Sequence, residues 1–204
     1  MVTNLILVRH GQTEWNRIER FRGQYDVELN SNGLEQASKT AQRIANNWKP
    51  EIVYSSPLSR ATVTAESIAL KCSVLVETNL GLIDINYGKW QGLSPIEAKE
   101  KWSDQINNWY EHPEKCEIPD GESLKSVQDR AMGVIYSITK KHQGRTIVVV
   151  SHTVVNRIIL LNMLGLGLER FWRLRQEPCA INFIEMEDQD FTICSLNDTC
   201  HLEG

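Results

Sequence analysis

Apolar residues in this chain follow two rhythms. Leu5-Ile6-Leu7-Val8 is an unbroken apolar run that stops at Arg9-His10-Gly11, and Thr146-Ile147-Val148-Val149-Val150 is a second that stops at Ser151-His152. Runs that are apolar at every position predict strands buried on both faces, as in parallel sheets. Ile52-Val53-Tyr54 and Val74-Leu75-Val76 are shorter runs of the same kind. Between the runs the spacing changes to that of a helix. Leu34, Ala37, Ala41, Ile44, Ala45 and Trp48 share a helical face that opens on Asn32 as cap and ends at Pro50. Ser55-Ser56-Pro57 caps and opens a second helix, with Arg60 in its first turn. Leu124, Val127, Ala131, Val134, Ile135 and Ile138 mark a helix over 123–141, and 154–164 is an almost wholly apolar helix stopped by Gly165. Residues 94–120 predict a helical excursion whose Trp102, Trp109 and Tyr110 read as packing. Ala180 to Met186 and Phe191 to Leu196, either side of Asp188-Gln189-Asp190, predict an antiparallel hairpin. Arg17 to Leu29 and Leu82 to Gly92 read as loops. The alternation predicts an α/β fold: a three-layer α/β/α sandwich around a mostly parallel sheet with an antiparallel edge, in one domain spanning 1–204.

Charge then removes several classes of partner. The formal net charge of −4 gives no global basic field to recruit nucleic acid or an acidic membrane. No stretch is long and apolar enough for a spanning helix, and Met1-Val2-Thr3-Asn4 lacks the basic start of a signal peptide. Cys72, Cys116, Cys179, Cys194 and Cys200 are odd in number and contain no C-x-x-C, which predicts reduced thiols and a cytoplasmic protein. Any anion the chain binds must therefore sit in a local cationic pocket.

The carboxyl edge of such a sheet is where that pocket is expected. It collects Arg9, His10, Asn16, Arg60, Asp84 and His152. Two guanidiniums suit a phosphate, an unprotonated imidazole can attack phosphorus, and a carboxyl at the rim can protonate the departing oxygen. The positive end of the helix near Ser56 adds to the anion site. No H-x-H, H-E-x-x-H or D-x-D pattern accompanies the histidines, so neither a metal nor a cofactor is expected. His112 and His142 read as solvated loop residues, Ser151 as structural, and Gly121-Glu122-Ser123 as a helix cap.

Leu7-Val8-Arg9-His10-Gly11-Gln12-Thr13-Glu14-Trp15-Asn16 resembles the signature of the histidine phosphatase, or phosphoglycerate mutase-like, superfamily. Ser55-Ser56-Pro57-Leu58-Ser59-Arg60-Ala61, Tyr87-Gly88-Lys89-Trp90-Gln91-Gly92, Asp120-Gly121-Glu122-Ser123-Leu124 and Val149-Val150-Ser151-His152 follow in that family's order. The resemblance implies a metal-independent phosphomonoesterase. His10 would be the phosphorylated nucleophile, Arg9, Arg60 and Asn16 the phosphoryl clamp, and His152 a further donor to the same group. Thr153 would offer its backbone amide, and Arg22 and Gly23 would meet the rest of the substrate. The acid is expected at Asp84, where the family's Leu-x-Glu frame reads Leu82-Ile83-Asp84, one methylene shorter; Glu97 and Glu77 are weaker alternatives. Within the superfamily the chain looks most like the metal-independent phosphoserine phosphatases, which are dimers and bind the amino-acid part with a C-terminal segment and a histidine in the Gly-x-Trp block. Here His201 stands in the tail and Tyr87 at the other position. α-Ribazole 5'-phosphate and broad-specificity sugar-phosphate phosphatases fit the general blocks as well. The insertions of the cofactor-dependent mutases are missing, which disfavours a phosphoglycerate mutase. A non-catalytic binder of phosphorylated metabolites is the reading from another class.

Overall fold

The computed structural model describes residues 1–187 and 190–203. Strand β1 is Thr3–Arg9, β2 Ile52–Ser55, β3 Leu75–Thr78, β4 Thr146–Ser151, β5 Ile181–Glu187 and β6 Asp190–Asp198. They form one sheet in the order β3-β2-β4-β1-β5-β6. The first four are mutually parallel, β5 runs antiparallel to β1, and β6 antiparallel to β5. The expected hairpin is present, although residues 188 and 189 of its turn lie outside the described residues.

The helices are α1 Glu14–Arg17, α2 Ser31–Asn47, α3 Ser59–Cys72, α4 Pro95–Lys101, α5 Ser103–Glu111, α6 Leu124–Lys141 and α7 Thr153–Met163. Side chains alternate across a strand, so β1 feeds two cores. Ile6 and Val8 join Val53, Val148 and Val150 under α2 and α3; Leu5 and Leu7 join Tyr54, Ile147 and Val149 under α6 and α7. Each such fully buried aliphatic contributes about 1.5–3 kcal/mol by leaving water. This is the α/β/α sandwich expected, with the antiparallel edge on the β5–β6 side.

Three local expectations are corrected. The cap of α2 is Asn30, whose side chain accepts from Gly33 N, and the buried stripe is Gly33, Ala37, Thr40, Ala41 and Ile44. Leu34 points outward and is 51% exposed. The stripe shifts because Gly33 packs against the loop after β1: a Cβ on Gly11 would lie 2.5 Å from Gly33 O, so neither backbone has room for a side chain. Helix α3 begins at Ser59 rather than at Pro57, leaving Leu58 extended and Ser56 Oγ accepting from Leu58 N. Its first amide is met by Asp26 Oδ1 at 2.7 Å. His142 is buried rather than solvated, with Nε2 3.0 Å from Tyr54 Oη and Nδ1 3.3 Å from Glu51 Oε1. His112 is exposed as expected. Ser151 is structural, donating to Leu82 O, and Ser123 caps α6.

Among the described residues no helix is long and apolar enough to cross a membrane. The five cysteines form no disulfide.

Candidate active site

Strand register builds the centre of the site. Arg9 pairs with Ser151 across β1 and β4, and Ser55 pairs with Val150 across β2 and β4. One residue further on, His10 N donates to Ser151 O at 3.0 Å and Ser56 N to Val150 O at 3.0 Å. Three strand ends distant in sequence thus present His10, Ser56 and His152 side by side. The two imidazoles are fully buried, with ring centroids 5.1 Å apart.

The hydrogen bonds fix which ring nitrogens are left without a partner. His10 Nδ1 lies 2.7 Å from Gly11 O. A carbonyl only accepts, so Nδ1 carries the proton and Nε2 keeps its lone pair. That Nε2 is buried without a partner. His152 Nε2 lies 2.7 Å from Ser56 Oγ. Ser56 Oγ accepts from Leu58 N, and His152 Nε2 is the acceptor in reach of its own hydroxyl proton, while the carboxyl group of Asp84 lies on the Nδ1 side of the ring. His152 therefore carries its proton on Nδ1, which has no hydrogen-bond partner and stands 3.7 Å from Asp84 Oδ2.

Arginines surround the pair. Arg9 Nη1 donates to Gln176 O, and Gln176 is locked to Asn182 of β5 by two side-chain hydrogen bonds. Arg60 donates to Tyr25 O and Gly23 O and reaches Asp84 Oδ2 at 3.2 Å. In each, backbone carbonyls hold the outer nitrogens while Nε stays buried and unpartnered; Arg22 Nε is likewise unpartnered. The N-terminus of α7, capped by no side chain, opens beside His152.

Asp84 Oδ1 accepts from Ile85 N, and its loop is strapped by Arg130, which donates to Gly81 O, Ile83 O and Asp84 O. Arg130 is itself held by Glu122.

Burial sets the charge states. Burial first, then the guanidiniums of Arg60, Arg9 and Arg22, hold the His10 imidazole well below the usual histidine range. Burial, Arg60 and His10 do the same to His152. Burial pushes the Asp84 carboxyl up despite the opposing pull of Arg60 and Arg22. The centre thus holds two neutral imidazoles and a carboxyl that keeps its proton to a higher pH than an exposed aspartate does, ringed by cations.

These shifts predict acid sensitivity. Both imidazoles have folded pKa values below the unfolded value of about 6.5, so the unfolded chain binds more protons below that pH. Stability falls on acidification by up to about 1.4 kcal/mol per pH unit for each. Asp84, shifted upward, gains on acidification and offsets part of this. Urea unfolding of wild type in phosphate-free buffer should lose stability between pH 7 and pH 5.5, and a His10→Asn, His152→Asn double variant should show a distinctly flatter profile. Parallel profiles would mean that the rings are charged in the fold.

The remaining sequence candidates divide. Arg22, Asp84, Tyr87 and Thr153 line a cleft of about 160 Å³ at the sheet's carboxyl edge. Asn16 instead accepts from Thr13 N and Thr13 Oγ1 through its Oδ1, closing the first turn of α1. Gly23 serves the site through its carbonyl on Arg60. His201 does not line this cleft: its Nε2 lies 2.9 Å from Thr40 Oγ1 on α2, beside a separate hollow. Glu97 caps α4 and Glu77 lies near Lys141, neither in the cleft. Trp109 and Trp172 do line it, with Arg157 and Phe171. Gln176, Arg130 and Arg157 are residues the sequence reading did not single out, and Ser56 entered it as a helix cap rather than as a partner of His152. Arg157 had a signal: it is the one charged residue in the apolar run 154–164. Among the described residues no group of three or more His, Cys, Asp or Glu is placed to hold a metal ion.

Residues 5–199 match the model of the histidine phosphatase superfamily, branch 1. Phosphoserine phosphatase 1 of Hydrogenobacter thermophilus is 38% identical, over 98% of this chain and 95% of that protein. A metal-independent phosphoserine phosphatase of Arabidopsis thaliana is 35% identical, over 100% of this chain and 84% of the relative. The solved phosphoserine phosphatase of Entamoeba histolytica, in complex with 3-phosphoglyceric acid, superposes with a TM-score of 0.86 at 29% identity, covering 98% and 100% of the two chains.

Proposed function

The chain belongs to the histidine phosphatase superfamily, and on that premise we propose that it is a metal-independent phosphoserine phosphatase that works through a phosphohistidine at His10. The observation that carries this reading is the state of His10 Nε2: neutral, buried, without a partner, and ringed by arginine Nε–H groups that have none either. A nucleophile held neutral beside preorganised cations is what an in-line attack on a phosphate monoester requires.

Each residue then has a task. The Nε2 lone pair of His10 attacks phosphorus. Arg9, Arg60 and Arg22 take the charge on the non-bridging oxygens, with His152 Nδ1–H and the first amides of α7 beside them. Asn16 has its Oδ1 committed to Thr13, which leaves its amide N–H groups as what it could offer this clamp. As the P–O ester bond breaks, the Asp84 carboxyl gives its proton to the leaving oxygen. Water then attacks the phosphorus of phosphohistidine, Asp84 takes a proton from it, and the P–N bond breaks to release inorganic phosphate. Ser56 acts through His152 by holding the tautomer that points a donor at the phosphoryl group. Tyr87 borders the leaving group. His201 stands apart, in the tail against Thr40 of α2, and has no task in this scheme.

The substrate part of the reading is supported by the relatives. The two aligned homologues bear the name phosphoserine phosphatase, and the Entamoeba structure holds a small carboxylated phosphate ester. A cytoplasmic location goes with five unbonded thiols, and a homodimer is the state to test by sedimentation. The function is tested by phosphate release from phosphoserine, 3-phosphoglycerate, α-ribazole 5'-phosphate and sugar phosphates in excess chelator. The expected result is full activity with phosphoserine highest in kcat/KM. Loss of activity in chelator, or a higher rank for a sugar phosphate, overturns the corresponding half of the reading.

A further inference from the structure

Arg157 has no part in the phosphoryl chemistry above, yet it lines the same cleft. The cations that act most strongly on His10 are Arg60, Arg9 and Arg22, and Arg157 is not among them. The cleft it lines carries Asp84 and Tyr87, and His10, Arg9 and Arg60 are not among its lining residues. It therefore belongs to the leaving-group end. Its guanidinium carbon lies 5.2 Å from the ring centroid of Phe171 and 5.1 Å from that of Trp172. Those contacts engage the faces of the cation and leave its N–H edge unused. Nε is buried with no acceptor, and among the described residues Arg157 forms no ion pair.

A second donor stands next to it. Thr153 is four residues earlier on α7, hence on the same helical face, and its Oγ1 is also buried and unpartnered. The neighbouring cation at the cleft mouth, Arg20, is committed to Gly92 O and Glu97. Burying a guanidinium without an anion is costly, and its planar fork matches a carboxylate.

We propose that Arg157, with the Thr153 hydroxyl beside it, binds a carboxylate on the leaving group, so that the enzyme selects phosphate monoesters of small hydroxy acids and hydroxy amino acids. This rests on the reading of the cleft as a phosphatase site. It explains selectivity without a contact from the C-terminal tail, whose His201 packs against Thr40 of α2. The aromatic lining and the cleft volume of about 160 Å³ suit a small leaving group.

The test compares kcat/KM for phosphoserine and 3-phosphoglycerate, which carry a carboxylate, with phosphoethanolamine and glycerol 3-phosphate, which do not. Wild type should favour the carboxylated pair at least tenfold. Arg157→Gln should lower kcat/KM for that pair by about 10- to 100-fold, chiefly through KM, the range of a lost charged hydrogen bond. Its loss on the other pair should be several-fold smaller, so the preference collapses. Arg157→Lys, which keeps the charge without the fork, should fall between and serves if the glutamine variant does not fold. Equal losses on all four esters, or an unchanged preference, would overturn the proposal. Should wild type turn over none of them, the phosphatase reading fails, and calorimetric affinities of the same esters for wild type and variant still decide the role of Arg157.

Discussion

Replacing His10 with alanine lowers kcat for phosphoserine by about 10,000-fold or more, the scale seen when a covalent nucleophile is removed. The cationic ring is left intact, because Arg9 and Arg60 are anchored by carbonyls of Gln176, Gly23 and Tyr25 rather than by the imidazole. The variant should therefore still bind inorganic phosphate and substrate while releasing no product. Acid-labile, base-stable label from a radioactive phosphate ester should appear on wild type in rapid-quench experiments and be absent from the variant. The cavity left by the ring is also open to free imidazole, which should restore measurable turnover. Retention of more than a few per cent of wild-type kcat, with binding unchanged, would place the nucleophile elsewhere and remove the reason for the arginine ring.

The second large effect belongs to Asp84. Asp84→Asn should lower kcat for phosphoserine by about 100- to 1,000-fold, within the range of a lost general acid. The same change should cost p-nitrophenyl phosphate about tenfold or less, because nitrophenolate leaves without a proton. That difference separates proton donation from a merely structural loss at the Arg60–Asp84 contact, which would affect both esters alike. The pH profile has a defined sign. Asp84 must be protonated to donate, so phosphoserine turnover falls as pH rises through its upward-shifted pKa. His10 must be neutral to attack, and its downward shift moves the acid limb below the usual histidine range. The asparagine variant should lack the basic limb. A variant with the wild-type limb, or one that loses both substrates equally, would assign the proton to another group.

The parts of this molecule legible in the sequence are those written in consecutive residues. The apolar runs at Leu5 and Ile147 became the central strands β1 and β4, and the residues just past them became the paired imidazoles. Helix ends were read less well because caps compete locally. Asn30, not Asn32, starts α2, since only that choice turns Gly33 inward against Gly11. The anchors of the site were invisible for a different reason. Gln176 and Asn182 hold Arg9 from 167 or more residues away, and Arg130 straps the Asp84 loop from 46. Such contacts have no local signature; they exist only after strand order and helix register are settled. His142 misled for the same reason: a lysine-flanked loop residue by sequence, it is covered by Tyr54 of β2. Arg157 could have been found, because a lone cation in an otherwise uncharged helix needs either solvent or an anion.

The strand order has an outcome of its own. The residues of the proposed phosphoryl clamp come from chain segments near 9–10, 22, 56–60 and 152–153, and β4 sits between β1 and β2 as the keystone. Competence therefore arrives late during biosynthesis, after β4 and then the Gln176–Asn182 pair that holds Arg9 have been made. No nascent fragment ending before β4 can hydrolyse an ester prematurely.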